Sequence, residues 1–95
     1  MECAQFEVQG RVQGVGYRLF VWRAAQKLQV RGWVKNRPDH AVEVTAAGTA
    51  AALAQLEMQL RLGPPGARVE QVVRTAAPPA PPLLETHARF DIVED

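Results

Sequence analysis

Apolar and polar residues alternate at the start of the chain, with Phe6, Val8, Gly10 and Val12 on one side and Glu7, Gln9 and Arg11 on the other. A period of two marks a strand with one covered face, and it predicts a first strand from about Cys3 to Val12. The period then changes. Tyr17, Phe20, Val21, Ala24, Ala25 and Leu28 recur at helical spacing, and Arg23, Gln26 and Lys27 fill the opposite side. Val30 to Asn36 and Ala41 to Ala47 read as two strands of a hairpin closed at Arg37-Pro38-Asp39-His40, where Pro and Asp are ordinary turn residues. Gly48 and Thr49 offer a second helix start. Leu53, Leu56 and Leu60 give that helix a core stripe from about Ala50 to Leu62, and Gly63-Pro64-Pro65 stops it. Arg68 to Thr75 and Ala88 to Val93 supply two last strands, the second with Ala88, Phe90 and Ile92 on one face.

This order predicts an α+β, ferredoxin-like split β-α-β sandwich: βαββαβ plus a C-terminal strand, with two helices on one face of a mostly antiparallel sheet. A length of 95 residues at 47% apolar composition suits one domain over residues 1–95 and leaves no room for a second core. The stretch Ala76-Ala77-Pro78-Pro79-Ala80-Pro81-Pro82 cannot join a ladder and reads as a stiff, exposed connector. A proline-binding partner is the less favoured alternative there, since a short Pro-rich loop needs no partner.

Charge matters through its distribution. The formal net charge is +1, too small for wholesale nucleic-acid wrapping. Yet between Val8 and Pro38 lie Arg11, Arg18, Arg23, Lys27, Arg31, Lys35 and Arg37 with no acidic residue, while the rest of the chain is acidic. An anionic small ligand would be welcome near that segment. The single cysteine, Cys3, cannot close an intrachain disulfide, and no Cys, His and carboxylate cluster has metal-ligand spacing. Neither a signal peptide nor an apolar run of about 20 residues is present, so the expectation is a soluble, cytoplasmic protein without metal or cofactor.

Candidate chemistry centres on GRVQGVGYR, positions 10 to 18. Gly14 and Gly16 stand where a strand gives way to a helix, and glycine lets backbone N–H groups approach a phosphate. Arg18 falls in the first helical turn, where unpaired N–H groups favour anions and a guanidinium fork matches phosphate oxygens. Alone, this Gly-x-Gly fits a purely structural turn equally well, because neither a following Lys-Ser/Thr nor a dinucleotide fingerprint is present. Taken singly, Arg18 also reads as a solvated arginine and Asn36 as a turn-side amide. Trp22, one turn beyond Arg18, either leans on its guanidinium or is an exposed ring of no special purpose.

GRVQGVGYR, then Ala25 and Leu28, then GWVKN at 32 to 36, together resemble the acylphosphatase family in order and separation. Gly48, Gly63-Pro64, Ala67 and Val69 also fit, so the resemblance runs from about Phe6 to Val73. It implies metal-independent hydrolysis of the carboxyl–phosphate bond of small-molecule acyl phosphates, giving a carboxylate and inorganic phosphate. Catalytic roles fall to Arg18, on the phosphoryl oxygens, and Asn36, on the attacking water. The phosphate-binding loop would be Gln13, Gly14, Val15, Gly16, Tyr17 and Arg18. A monomer needing no cofactor, nucleic acid or membrane is implied. Gln29 and His40 stand where relatives commonly have glycine, and both places favour a left-handed backbone. Tyr17 replaces the commoner phenylalanine, adding a hydroxyl that needs a partner if buried.

The other residues invite plainer readings. His40 and His87 suit the surface, Trp33 suits packing and Cys3 an inert thiol, while Arg11, Arg23, Lys35 and Arg37 add positive potential outside direct contact. Two other functions compete with hydrolysis. A single-stranded RNA-binding module would need adjacent aromatics on central strands, which a chain with 6% aromatic residues lacks. A phosphate-binding module without turnover could dispense with the amide of Asn36.

Overall fold

The computed structural model describes residues 2–76 and 89–93. The chain runs β1 (Glu2–Arg11), α1 (Tyr17–Leu28), β2 (Arg31–Asn36), β3 (Val42–Gly48), α2 (Ala50–Leu62), β4 (Arg68–Ala76) and β5 (Phe90–Ile92). The sheet order is β4-β1-β3-β2-β5. β1 lies antiparallel to both β3 and β4, β2 is antiparallel to β3, and β5 joins the far edge parallel to β2. This is the split β-α-β architecture that the periodicity predicts, with the extra strand at one edge. Two predictions on the last connection fare differently. Ala76 is paired with Ala4 and so belongs to the ladder, not to the connector. Residues 77–88, with the proline run, His87 and the predicted strand start at Ala88, lie outside the described residues.

Most even-numbered residues of β1, β2, β3 and β5 face the helices, while in β4 the bulge opposite Gln9 and Gly10 turns Val69 inward as well as Val72. Ala4, Phe6, Val8, Val34, Val42, Val44, Ala46, Val72 and Phe90 are buried together with Val21 and Ala25 of α1 and Leu53, Leu56 and Leu60 of α2. Each fully buried Leu or Phe contributes about 1.5–3 kcal/mol relative to exposure, so this one face supplies most of the driving force. The odd-numbered face is polar. There Lys35 pairs with Glu43 at 3.5 Å, and Arg37 reaches Glu7 at 3.0 Å and Asp39 at 3.3 Å.

The two helices end and begin by different devices. Thr49 caps α2 in the ordinary way, its side chain accepting from the Ala52 N–H at 3.0 Å. α1 stops in a Schellman motif: Gln29 N–H donates to the Gln26 carbonyl at 3.2 Å, and Val30 N–H to the Ala25 carbonyl at 3.0 Å. Gln29 is left-handed there (φ 56°), and His40 is left-handed in the hairpin turn (φ 72°), as their positions predict. Among the described residues no helix is long and apolar enough to cross a membrane.

Candidate active site

The N-terminus of α1 departs from the pattern set by α2. Its N-cap is Gly16, with no side-chain cap. Arg18 sits in the first turn, against the helix dipole, which disfavours a cation at this end by about 0.3–1 kcal/mol. A chain that caps its other helix well but leaves this one bare breaks a local rule, and such breaks concentrate at functional places. Gly14 and Gly16 hold φ of 76° and 77°, and a Cβ built on either would meet nothing within 4 Å. Their conformation demands glycine while the space beside them stays open.

That space is a cavity of about 240 Å³, lined by Val12, Gly14, Gly16, Tyr17, Arg18, Leu19, Asn36 and Ile92. Four elements converge on it: the end of β1, the first turn of α1, the last residue of β2 and the edge strand β5. Arg18 and Asn36, far apart in sequence, thus face one opening. Arg18 Nη1 donates to the Val93 carbonyl at 2.8 Å. This neutral acceptor positions the guanidinium without cancelling its charge. Asn36 Oδ1 is buried and has no hydrogen-bond partner among the described residues. A buried acceptor left unfilled costs about 1–3 kcal/mol, so it marks a place where something polar is expected to dock.

The remaining loop residues divide by what their side chains do. Gln13 and Val15 do not line the cavity. Gln13 Nε2 donates to the carbonyls of Arg37 and Ala41, both at 2.9 Å, tying the loop to the hairpin turn beyond Asn36. Val15 packs against the core. Tyr17 is buried, and its hydroxyl donates to the Leu60 carbonyl at 2.7 Å, away from the opening. Burial holds the phenol well above its ordinary pKa, which keeps it the neutral donor this bond requires.

Several features escaped the sequence reading. Leu19 and Ile92 line the cavity with apolar surface, and Val12 backs it from the core. Leu19 lies off the core stripe of α1, which was the available signal. Trp22 is half-buried and donates its indole N–H to the Phe90 carbonyl at 3.0 Å, so it is not an idle exposed ring. Arg18 and Trp22, one helical turn apart, therefore both bind carbonyls of the last segment. The basic segment is also less of a patch than its sequence suggests. Lys35 and Arg37 are engaged by carboxylates of the sheet, and Arg23 and Lys27 line a separate groove between the helices. Among the described residues no group of three or more His, Cys, Asp or Glu side chains could hold a metal ion.

Comparison with known proteins places the chain in a family. The acylphosphatase family model matches residues 4–92, which includes the edge strand that the sequence resemblance covered only weakly. An acylphosphatase of Nitratidesulfovibrio vulgaris (strain DP4) is 49% identical over 93 residues, covering 97% of this chain and 90% of that protein. One from Pasteurella multocida (strain Pm70) is 52% identical over 69 residues, 73% of this chain and 77% of its own. The crystal structure of acylphosphatase from Bacillus subtilis superposes with a TM-score of 0.89 at 40% identity, over 99% of this chain and 100% of that one. With residues 4–92, the strand order and nearly its whole length matched, the chain belongs to the acylphosphatase family, enzymes that hydrolyse acyl phosphates.

Proposed function

We propose that Arg18 and the backbone N–H groups from Gln13 to Arg18 hold the phosphoryl group, while Asn36 orients the water that attacks it. The observation that carries this reading is the shared cavity: Arg18, the open glycine loop and Asn36 line the same space, and the amide oxygen of Asn36 is buried without a partner among the described residues. The water oxygen bonds to phosphorus as the phosphorus–acyl oxygen bond breaks, and the electron pair leaves on the carboxylate. A phosphate oxygen takes the water's proton. Because a carboxylate is a good leaving group, no strong general acid is required, and holding and aiming do most of the catalysis. Arg18 and the loop stabilise charge as it shifts in the transition state. An uncharged amide fixes the water by accepting one hydrogen bond and donating another.

The same chemistry asks for no metal ion. It is consistent with one domain acting as a cytoplasmic monomer that releases inorganic phosphate and engages neither nucleic acid nor membrane. The test is benzoyl phosphate hydrolysis with chelator present. Arg18→Ala is expected to lower turnover by about 100- to 1000-fold and to abolish inhibition by phosphate. Asn36→Ala is expected to lower turnover with phosphate inhibition retained. Chelator-sensitive turnover, or unchanged rates in either variant, would refute the assignment.

A further inference from the structure

We infer that the acyl group is recognised by an apolar wall of Leu19 and Ile92, so that the preferred substrates are acyl phosphates of uncharged, apolar carboxylic acids. This rests on the hydrolase reading of the same cavity. Leu19 follows Arg18 directly and is 44% exposed, on the edge of the core that its own helix builds. One exposed leucine alone means little. Here it shares a cavity with Ile92 of the edge strand, a distant part of the chain, while Val12, buried in the core, backs the same cavity. Val93, 38% exposed, continues the apolar edge, and its carbonyl holds the guanidinium. A substrate whose phosphoryl end meets Arg18 therefore has an apolar surface beside its other end.

The charge pattern sharpens the class. Among the described residues Arg18 is the only charged side chain lining the cavity. An acyl group with a second negative charge would lose water against the leucine and isoleucine and gain no cation in return.

The experiment compares kcat/KM for acetyl, propionyl and butyryl phosphates, whose leaving carboxylates differ little in basicity, and for succinyl phosphate, whose more basic leaving group is cancelled by comparing its ratio to butyryl phosphate across the unaltered protein, Leu19→Ser and Leu19→Lys. Values should rise by up to about fourfold per methylene from acetyl to butyryl, the equivalent of about 0.8 kcal/mol for each buried CH₂. Succinyl phosphate, with a carboxylate at its far end, should fall about tenfold below butyryl. Leu19→Ser should reduce the butyryl-to-acetyl ratio by about threefold, the loss of most of one methylene's gain. Leu19→Lys should raise the succinyl-to-butyryl ratio. Leu19 is exposed enough that both variants should keep the unaltered circular dichroism. A flat series, succinyl equal to butyryl, or an unchanged ratio in Leu19→Ser would overturn the acyl wall while leaving hydrolysis intact. No turnover of any acyl phosphate by the folded protein would overturn the hydrolase reading and the wall with it.

Discussion

Tyr17→Phe removes one atom, the hydroxyl oxygen that donates to the Leu60 carbonyl at 2.7 Å. That carbonyl has a particular need for a donor. It lies in the last turn of α2, where its intrahelical partner would be the N–H of residue 64, and residue 64 is proline. Both Tyr17 and Leu60 are buried, so water does not readily replace the hydroxyl. Leaving a buried acceptor unpaired costs about 1–3 kcal/mol, and the phenyl ring regains part of this through its greater apolarity. A net loss of about 1–2 kcal/mol is expected. For a domain of this size about 1 kcal/mol corresponds to ~5 °C, so the melting temperature should fall by roughly 5–10 °C. The assay is thermal and urea denaturation of both proteins from pH 6 to above pH 10.

The pH dependence supplies a second, independent check. Burial raises the phenol's pKa in the folded state above the ordinary value of about 10, so its contribution is complete below about pH 10. As pH rises further the unfolded phenol ionises first, and stability is lost at up to about 1.36 kcal/mol per pH unit. The difference between the unaltered protein and Tyr17→Phe should thus be constant from pH 6 to 9 and shrink above 10. Tyr17 is the only tyrosine in the chain, so phenolate absorbance reports it alone. Equal stability of the two proteins, or phenolate appearing at its ordinary pH in the folded state, would refute the capping role of the hydroxyl.

Two structural expectations accompany this one. Gln29→Gly and His40→Gly should each stabilise the protein by about 0.5–1 kcal/mol, because both positions are left-handed and only glycine adopts that conformation freely; equilibrium denaturation gives the values. Trp22→Phe keeps the ring but loses the donor to the Phe90 carbonyl, so it should cost about 1 kcal/mol. It should also speed hydrogen exchange at the Val93 amide, which donates to the Val34 carbonyl at 2.9 Å, more than at amides of β1.

The strands and helices were legible because their evidence is local. A covered strand face repeats every two residues and a covered helix face every three to four, so Phe6 and Val8, or Leu53, Leu56 and Leu60, announce their elements without knowledge of any partner. The candidate site was legible for a related reason. Its glycines are dictated by their own backbone angles, and Arg18 and Asn36 belong to short segments whose spacing resembles that of the family. Gln29 and His40 were legible as left-handed through the resemblance, since relatives commonly carry glycine at both places.

What the sequence could not supply was set by contacts to backbone carbonyls and by strand register. The Val93 carbonyl that holds Arg18, the Phe90 carbonyl that holds Trp22 and the Leu60 carbonyl that holds Tyr17 belong to groups present in every residue, so no side-chain identity marks them. Pairing of Arg37 with Glu7, and of Lys35 with Glu43, follows from which strands lie adjacent, and it withdrew two cations that the charge distribution had seemed to offer a ligand. Local periodicity determined which residues form each element and which face is covered. Only the tertiary structure decided that β5 would lie parallel to β2, bringing Ile92 into the cavity shared by Arg18 and Asn36, because that placement depends on register between distant segments.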